Sequence, residues 1–172
     1  VFGMENLNFS YDKMKINLAD VASYLDIVHL IDKKTQDLSG GEKQKIAIAS
    51  ILCMMPEIIL LDEPTSQLDA ISAENIINTI RRLNEDFGIS VIMVEHRLDK
   101  CFHMADRIIL MDNGSILLDK NPDNFLKMDF ELIKNYIPIV SRIFKKSKYY
   151  NYSIPKTVKE GRIILKTVLN KN

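Results

Sequence analysis

Tryptophan is absent from these 172 residues, and cysteine, proline and glycine are scarce, at two, five and six. So little glycine and proline excludes a collagen-like repeat and a Pro-Gly-rich disordered polymer, and the composition does not suit a coiled coil. Long apolar runs are missing too. The richest region, Ile46 to Leu61, is broken by Ser50, Pro56 and Glu57, well short of the roughly 18 apolar residues in a row that a membrane helix requires. No basic stretch leads into an apolar core at the N-terminus, so a secretory signal is not expected. Cys53 and Cys101 stand singly within apolar helical patterns and read as small core side chains in a reducing compartment, not as a disulfide or metal site. What remains is ordinary globular material, 47% apolar and 27% charged, enough for one domain of typical size.

The net charge is zero, yet it sums unlike parts. From Lys145 onward there are eight basic residues (Lys145, Lys146, Lys148, Lys156, Lys159, Arg162, Lys166, Lys171) against one acid, Glu160. That tail carries +7, so residues 1–144 carry −7. A basic tail can meet nucleic acid or an anionic membrane surface, or be a solvated linker. The first residue is Val1 rather than methionine, as in a fragment.

Apolar spacing along the chain predicts alternating helices and strands. Leu18, Val21, Leu25 and Val28 predict an amphipathic helix from about Lys15 to Leu30, and Ser39-Gly40-Gly41 breaks that pattern. A second helix carries Ile46, Ala49, Ser50 and Cys53 on one face. Glu57 to Asp62 and Ile89 to Val94 are short apolar runs of the kind found in buried parallel strands. Between them Ile76, Ile80, Leu83 and Phe87 mark a helix ending near Gly88. Arg107–Met111 and Ser115–Leu118 flank Asp112-Asn113-Gly114, a hairpin turn signal. Asn121 and Pro122 then read as an N-cap and first helical position. Alternation of this kind predicts an α/β sheet with right-handed crossovers.

Four segments carry candidate chemistry. Leu38-Ser39-Gly40-Gly41-Glu42-Lys43-Gln44 stands just before a helix. Its glycines let backbone amides approach a ligand, the helix start adds positive dipole, and the serine hydroxyl can donate to a phosphate oxygen. A plain helix-entry turn would look the same. Ile58-Ile59-Leu60-Leu61-Asp62-Glu63-Pro64 sets two acids after an apolar strand, at the sheet edge where ligands bind in such folds. Asp62 is placed to hold magnesium through water and Glu63 to orient or deprotonate an attacking water, unless both are merely solvated acids. Ser66-Gln67-Leu68-Asp69 alone is a helix N-cap region. His96 follows the second strand and shares that sheet edge, whereas His29 and His103 suggest no task.

In this order and spacing the four segments resemble the ATP-binding-cassette ATPase family, over about residues 1–128. The resemblance implies a P-loop NTPase-like, RecA-like parallel sheet with flanking helices, plus part of a helical subdomain. It implies a helical part over about 1–50, a RecA-like part over about 51–128, a cassette portion ending at 144, and a basic connector at 145–172. Ser39, Gly40, Gly41 and Gln44 would belong to the nucleotide-facing signature loop. Asp62 would be the magnesium acid, Glu63 the catalytic carboxylate, Asp69 the D-loop aspartate, and His96 the histidine that senses the γ-phosphate. ATP and Mg2+ are the implied cofactors. Glu42, Lys43, Gln67 and Glu95 are mild departures from the family pattern.

A larger departure is an absence: no G-x-x-x-x-G-K-[ST] loop occurs in the chain. The opening Val1-Phe2-Gly3-Met4-Glu5-Asn6-Leu7 resembles the stretch after the glutamine loop in energy-coupling-factor and cobalt-type importer ATPases. The chain therefore reads as the C-terminal portion of a cassette, inactive by itself. Ile154 to Arg162 resembles the connector of tandem-cassette members, with Thr157 and Glu160 as a capping box. The implied function is the ATP-hydrolysing motor of an importer. It would work against a second cassette, in a homo- or heterodimer or in tandem, and beneath a transmembrane subunit. It would lie in the cytoplasm, peripheral on the inner face of the cell membrane, without nucleic acid. The alternatives are a soluble cassette protein acting on nucleic acid or ribosomes, and a non-catalytic module. About 18 residues separate Asp69 from Gly88, leaving no room for the helical insertion the soluble class usually carries.

Overall fold

The structure, a computed structural model, describes residues 1–96, 98–147 and 153–169. It divides into two compact units, Val1–Glu95 and His96–Asn172. The first unit holds helices α1 (Phe2–Asn6), α2 (Tyr11–Tyr24) and α3 (Gly40–Leu52), strand β1 (Ile58–Asp62), helix α4 (Ala70–Phe87) and strand β2 (Ser90–Val94). The second holds the strands β3 (Ile108–Asp112) and β4 (Ser115–Lys120) and the helices α5 (Pro122–Leu126), α6 (Phe130–Ile133), α7 (Ile139–Lys146) and α8 (Val158–Leu169).

Strands β1 and β2 pair in parallel, Ile58 opposite Ser90 through Asp62 opposite Val94, with α4 as the crossover. This is the expected α/β arrangement. The helix is well specified: Ala73, Ile76, Ile77, Ile80 and Leu83 are buried along one stripe. Asp69 caps its start, and Gly88, in the left-handed region at φ +67, ends it. A residue with a Cβ is strained in that conformation.

Three expectations change. The helix expected over Lys15–Leu30 instead runs from Tyr11 to Tyr24, because Ser10 caps it early and Asp26, at φ +53, turns the chain out of it. Only Val28–Leu30 returns, as a separate 3-10 turn. On α3 the buried face is Ile48, Ala49 and Leu52, with Cys53 just beyond, rather than the face through Ile46 and Ser50. Finally, β1 is not buried on both sides. Ile59 is 4% exposed but Leu60 is 71% exposed, and Ile58, Ile92 and Val94 are exposed with it. Side chains alternate across a strand, so a cover over one face leaves the other parity open.

Polar bonds also hold α2 in place. Asn17, buried on α2, donates through Nδ2 to the Cys53 carbonyl at 2.8 Å, and the Cys53 thiol faces the Asn17 carbonyl at 3.9 Å. Cys53 and Cys101 are buried side chains, as expected. Tyr24 closes α2 on α4 through its hydroxyl, 2.5 Å from Asp86 Oδ2, with its ring edge-on to Phe87.

In the second unit, β3 and β4 form the expected hairpin, Asn113 at φ 47 and Gly114 at φ 76 supplying the two left-handed residues of its turn. Asn121 caps α5 by accepting from the Asn124 amide, with Pro122 at the first helical position. Phe102, Phe125, Leu126, Ile133 and Ile137 form the core. The basic tail is not simply a solvated linker. Lys145 Nζ donates to the carbonyls of Leu126 and Met128, each at 2.7 Å, and Lys156 pairs with Asp123 at 3.1 Å. Thr157 Oγ1 accepts from the Glu160 amide, while the Glu160 carboxylate reaches back to the Lys156 amide, one residue earlier than an ordinary capping box. Lys148 and Lys171 lie outside the described residues.

Candidate functional site

Each motif sits where a strand or helix ends. Ser39 is the N-cap of α3: its Oγ accepts from the Glu42 amide at 3.3 Å, and its own amide donates to Glu42 Oε2 at 2.8 Å. The Ser39 amide bond, aided by the Ser39 hydroxyl and the Lys33 charge, holds the Glu42 carboxyl below the ordinary carboxylate range. Gly40 and Gly41 occupy the first turn, where amides lack helical partners. Gln44 follows on the same helix and is half-buried.

The glycines are there because α4 begins beside them. A Cβ on Gly40 would come to 3.3 Å from the Leu68 side chain, and one on Gly41 to 3.2 Å from both Cβ and Oγ of Ser72. Asp69 organises that facing turn. Its Oδ1 accepts from the amides of Ile71 at 2.9 Å and Ser72 at 3.0 Å, and its Oδ2 accepts from the Ser72 hydroxyl at 2.5 Å. The Ser72 hydroxyl above all, then the Ser72 amide, pulls the Asp69 carboxyl below its usual range. A cleft of about 210 Å³ runs alongside, lined by Ser39, Gly41, Glu42, Ser72, Asn75 and His29 among others.

Asp62 is exposed at the last position of β1, and half-buried Glu63 follows it. The Glu63 backbone is left-handed at φ +45, an uncommon conformation for a side chain of its size. Two sets of bonds hold it there. Its amide donates to the Val94 carbonyl at 3.0 Å, and its carbonyl accepts from the amide and hydroxyl of Ser66 at 3.1 and 3.0 Å. The acids are thus presented by a fixed turn at the carboxyl end of a parallel strand pair. His96 is exposed and opens the second unit. Hence the first unit brings together Ser39, Gly40, Gly41 and the Asp69 turn, and independently fixes Asp62 with Glu63.

Sequence reasoning passed over Glu95 as a mere departure from a pattern. Its Oε1 accepts from both the amide and the hydroxyl of Thr65, at 3.1 and 2.7 Å. The available signal was a charged residue at the end of an apolar strand, where an acid needs a donor.

Residues 3–66 match the family profile described as "ABC transporter". A putative ABC transporter ATP-binding protein of Clostridium tetani is 49% identical over 166 residues, covering 96% of this chain and 37% of its own length. The chain spans about a third of the length of the first curated relatives it matches, 37% and 30%. Among solved structures, cbiO1 from Clostridium perfringens, described as part of the ABC transporter complex cbiONQ, is similar with a TM-score of 0.67 and 26% identity. That match covers 95% of this chain and 58% of the other. The dimeric post-hydrolysis state of the ATP-binding cassette MJ0796, bound to ADP and Pi, gives a TM-score of 0.56 at 29% identity, covering 66% and 49% of the two chains.

Proposed function

This chain is of the ABC transporter ATPase cassette type in both sequence and fold, and from that premise we propose that it works as the ATP-hydrolysing motor of an importer of the energy-coupling-factor or cobalt type. The likeness to cbiO1 supports the importer subgroup. In this reading residues 1–144 are cassette, residues 145–172 are connector, and a phosphate-binding loop accompanies them in the whole protein. A second cassette, as in the dimeric neighbour, closes on this one, and a transmembrane subunit receives the motion from the cytoplasmic face.

The observation that carries the proposal is the packing of Gly40 and Gly41 on the Asp69 turn, in the unit that also holds Asp62 and Glu63. Ser39 and the α3 amides would donate to the γ-phosphate of a nucleotide held opposite. Glu63 would take a proton from the attacking water, and His96 would hydrogen-bond the γ-phosphate. Magnesium, when bound with the nucleotide, neutralises charge on the phosphate oxygens. Asp62 fits as its acid, since that ion takes one or two carboxylates and completes its shell with phosphate and water. No group of three or more metal-binding side chains occurs among the described residues to compete with it. Among those residues no helix is long and apolar enough to cross a membrane.

Purification of the intact protein from solubilised membranes tests the proposal. The expected result is a complex with a transmembrane subunit whose presence stimulates hydrolysis. Recovery free of any membrane subunit, with salt-sensitive RNA binding, would overturn it.

A further inference from the structure

Glu63 has to be held in a conformation its own backbone disfavours, at φ +45. The turn that holds it, Glu63-Pro64-Thr65-Ser66, is anchored at two consecutive residues, the last of β2 and the one after it. Val94 accepts from the Glu63 amide at 3.0 Å. Glu95, the next residue, accepts at one carboxylate oxygen from the Thr65 amide at 3.1 Å and the Thr65 hydroxyl at 2.7 Å. Glu95 and Thr65 are both half-buried, so these bonds are partly shielded from water, and a carboxylate acceptor makes them stronger than neutral ones. The two anchors straddle the turn: one takes its first residue, the other its third.

We propose that Glu95 is a positioning residue for hydrolysis, its carboxylate pinning Thr65 and thereby fixing the turn that aims Glu63. In this role Glu95 acts through Thr65, the residue its carboxylate binds. The proposal rests on the reading of Glu63 as the base. Glu95 also joins β2 to His96, so the residue that sets the turn is covalently next to the proposed phosphate sensor.

The test is a set of variants of the intact protein, assayed for kcat and KM with Mg-ATP. In Glu95→Ala both bonds to Thr65 are lost, and kcat is expected to fall by about 10²-fold, the order of effect a small misplacement produces. KM for ATP should stay within about twofold, because ground-state binding is not involved. Glu95→Gln keeps an oxygen in the same place able to accept both bonds, and is expected to restore most of kcat. Thr65→Val keeps the amide donor and should fall between the two, and combined with Glu95→Ala it should be no slower than Glu95→Ala alone. If Glu95→Ala fails to fold, Thr65→Val against Thr65→Ser gives the same comparison at smaller amplitude. Wild-type kcat in Glu95→Ala, equal losses in the Ala and Gln variants, or additive losses in the double variant would each overturn the positioning role. Glu63→Gln is run beside them: undiminished turnover there would overturn the base assignment itself, separately from the Glu95 result.

Discussion

Gly41 lies so near Ser72 that a methyl group on the glycine would stand 3.2 Å from both Cβ and Oγ of the serine. The same Ser72 hydroxyl is bound to Asp69 at 2.5 Å. The start of α3 and the start of α4 are therefore one packed assembly, in which the glycine loop, the serine and the capping aspartate have little freedom to move separately.

Gly40→Asp tests that assembly. The new Cβ would meet Leu68 at 3.3 Å, and the carboxylate would stand where the amides of α3 face an anion. Hydrolysis by the intact protein is expected to fall sharply, while ATP binding at the phosphate-binding loop proposed for the same cassette stays near normal. Nucleotide binding and steady-state turnover, measured on one preparation, check this; equal loss of both would indicate a folding defect instead.

Glu63→Gln preserves shape and removes the proposed base. Binding of ATP should persist while turnover drops by roughly 10²–10⁴-fold, the usual range for a lost general base. Filter binding and phosphate release decide between this outcome and an unaffected rate.

Asp69 links the site to pH. Its carboxyl is depressed in the folded chain, chiefly by the Ser72 hydroxyl. A carboxyl of that kind contributes stability above its unfolded value, about 3.9, and loses the contribution as pH falls through the lower folded value. Asp69→Asn still caps the helix but does not titrate. The gap in thermal midpoint between wild type and Asp69→Asn, present at neutral pH, should therefore close as the pH is taken below about 4.

Gly88→Ala isolates backbone strain. Nothing lies within 4 Å of where the new Cβ would stand, so only the left-handed φ of +67 resists it. A loss of about 1–2 kcal/mol is expected in urea unfolding, with no change in the packing of α4.

Residues 1–172 expressed alone give the last prediction. They contain no G-x-x-x-x-G-K-[ST] loop, the element whose amides and lysine wrap the phosphates. Calorimetry with Mg-ATP should show no micromolar binding, and no phosphate should be released. The exposed Ile58, Leu60, Ile92 and Val94 form an apolar strand face that favours association, so light scattering should report species larger than a monomer. Tight nucleotide binding by a stable monomer would contradict both expectations.

Local chemistry was readable from the residues, and distant partnership was not. Asp69, Asn121 and Gly88 announce their caps because a cap is decided within four residues. Asn113-Gly114 announces its turn for the same reason. The end of α2 escaped because the apolar spacing runs on past Asp26, whose backbone alone stops the helix. The open face of β1 escaped because a continuous apolar run looks alike whether one side or both are covered. As for the site, its motif residues are legible in order, but Glu95 acquires meaning only when the β1–β2 register brings it beside Thr65.

That register also governs when the site can come into being during folding. β1 and β2 are parallel, so no tight turn can join them, and the whole of α4, 18 residues, must be in place before Asp62 stands opposite Val94. Closing so long a loop costs chain entropy before any strand bond repays it, which makes such pairings slow steps. The α3 and α4 caps can form at once from neighbours in the chain. The Glu63 turn cannot, and a nascent chain holds its motif residues in order well before it holds their geometry.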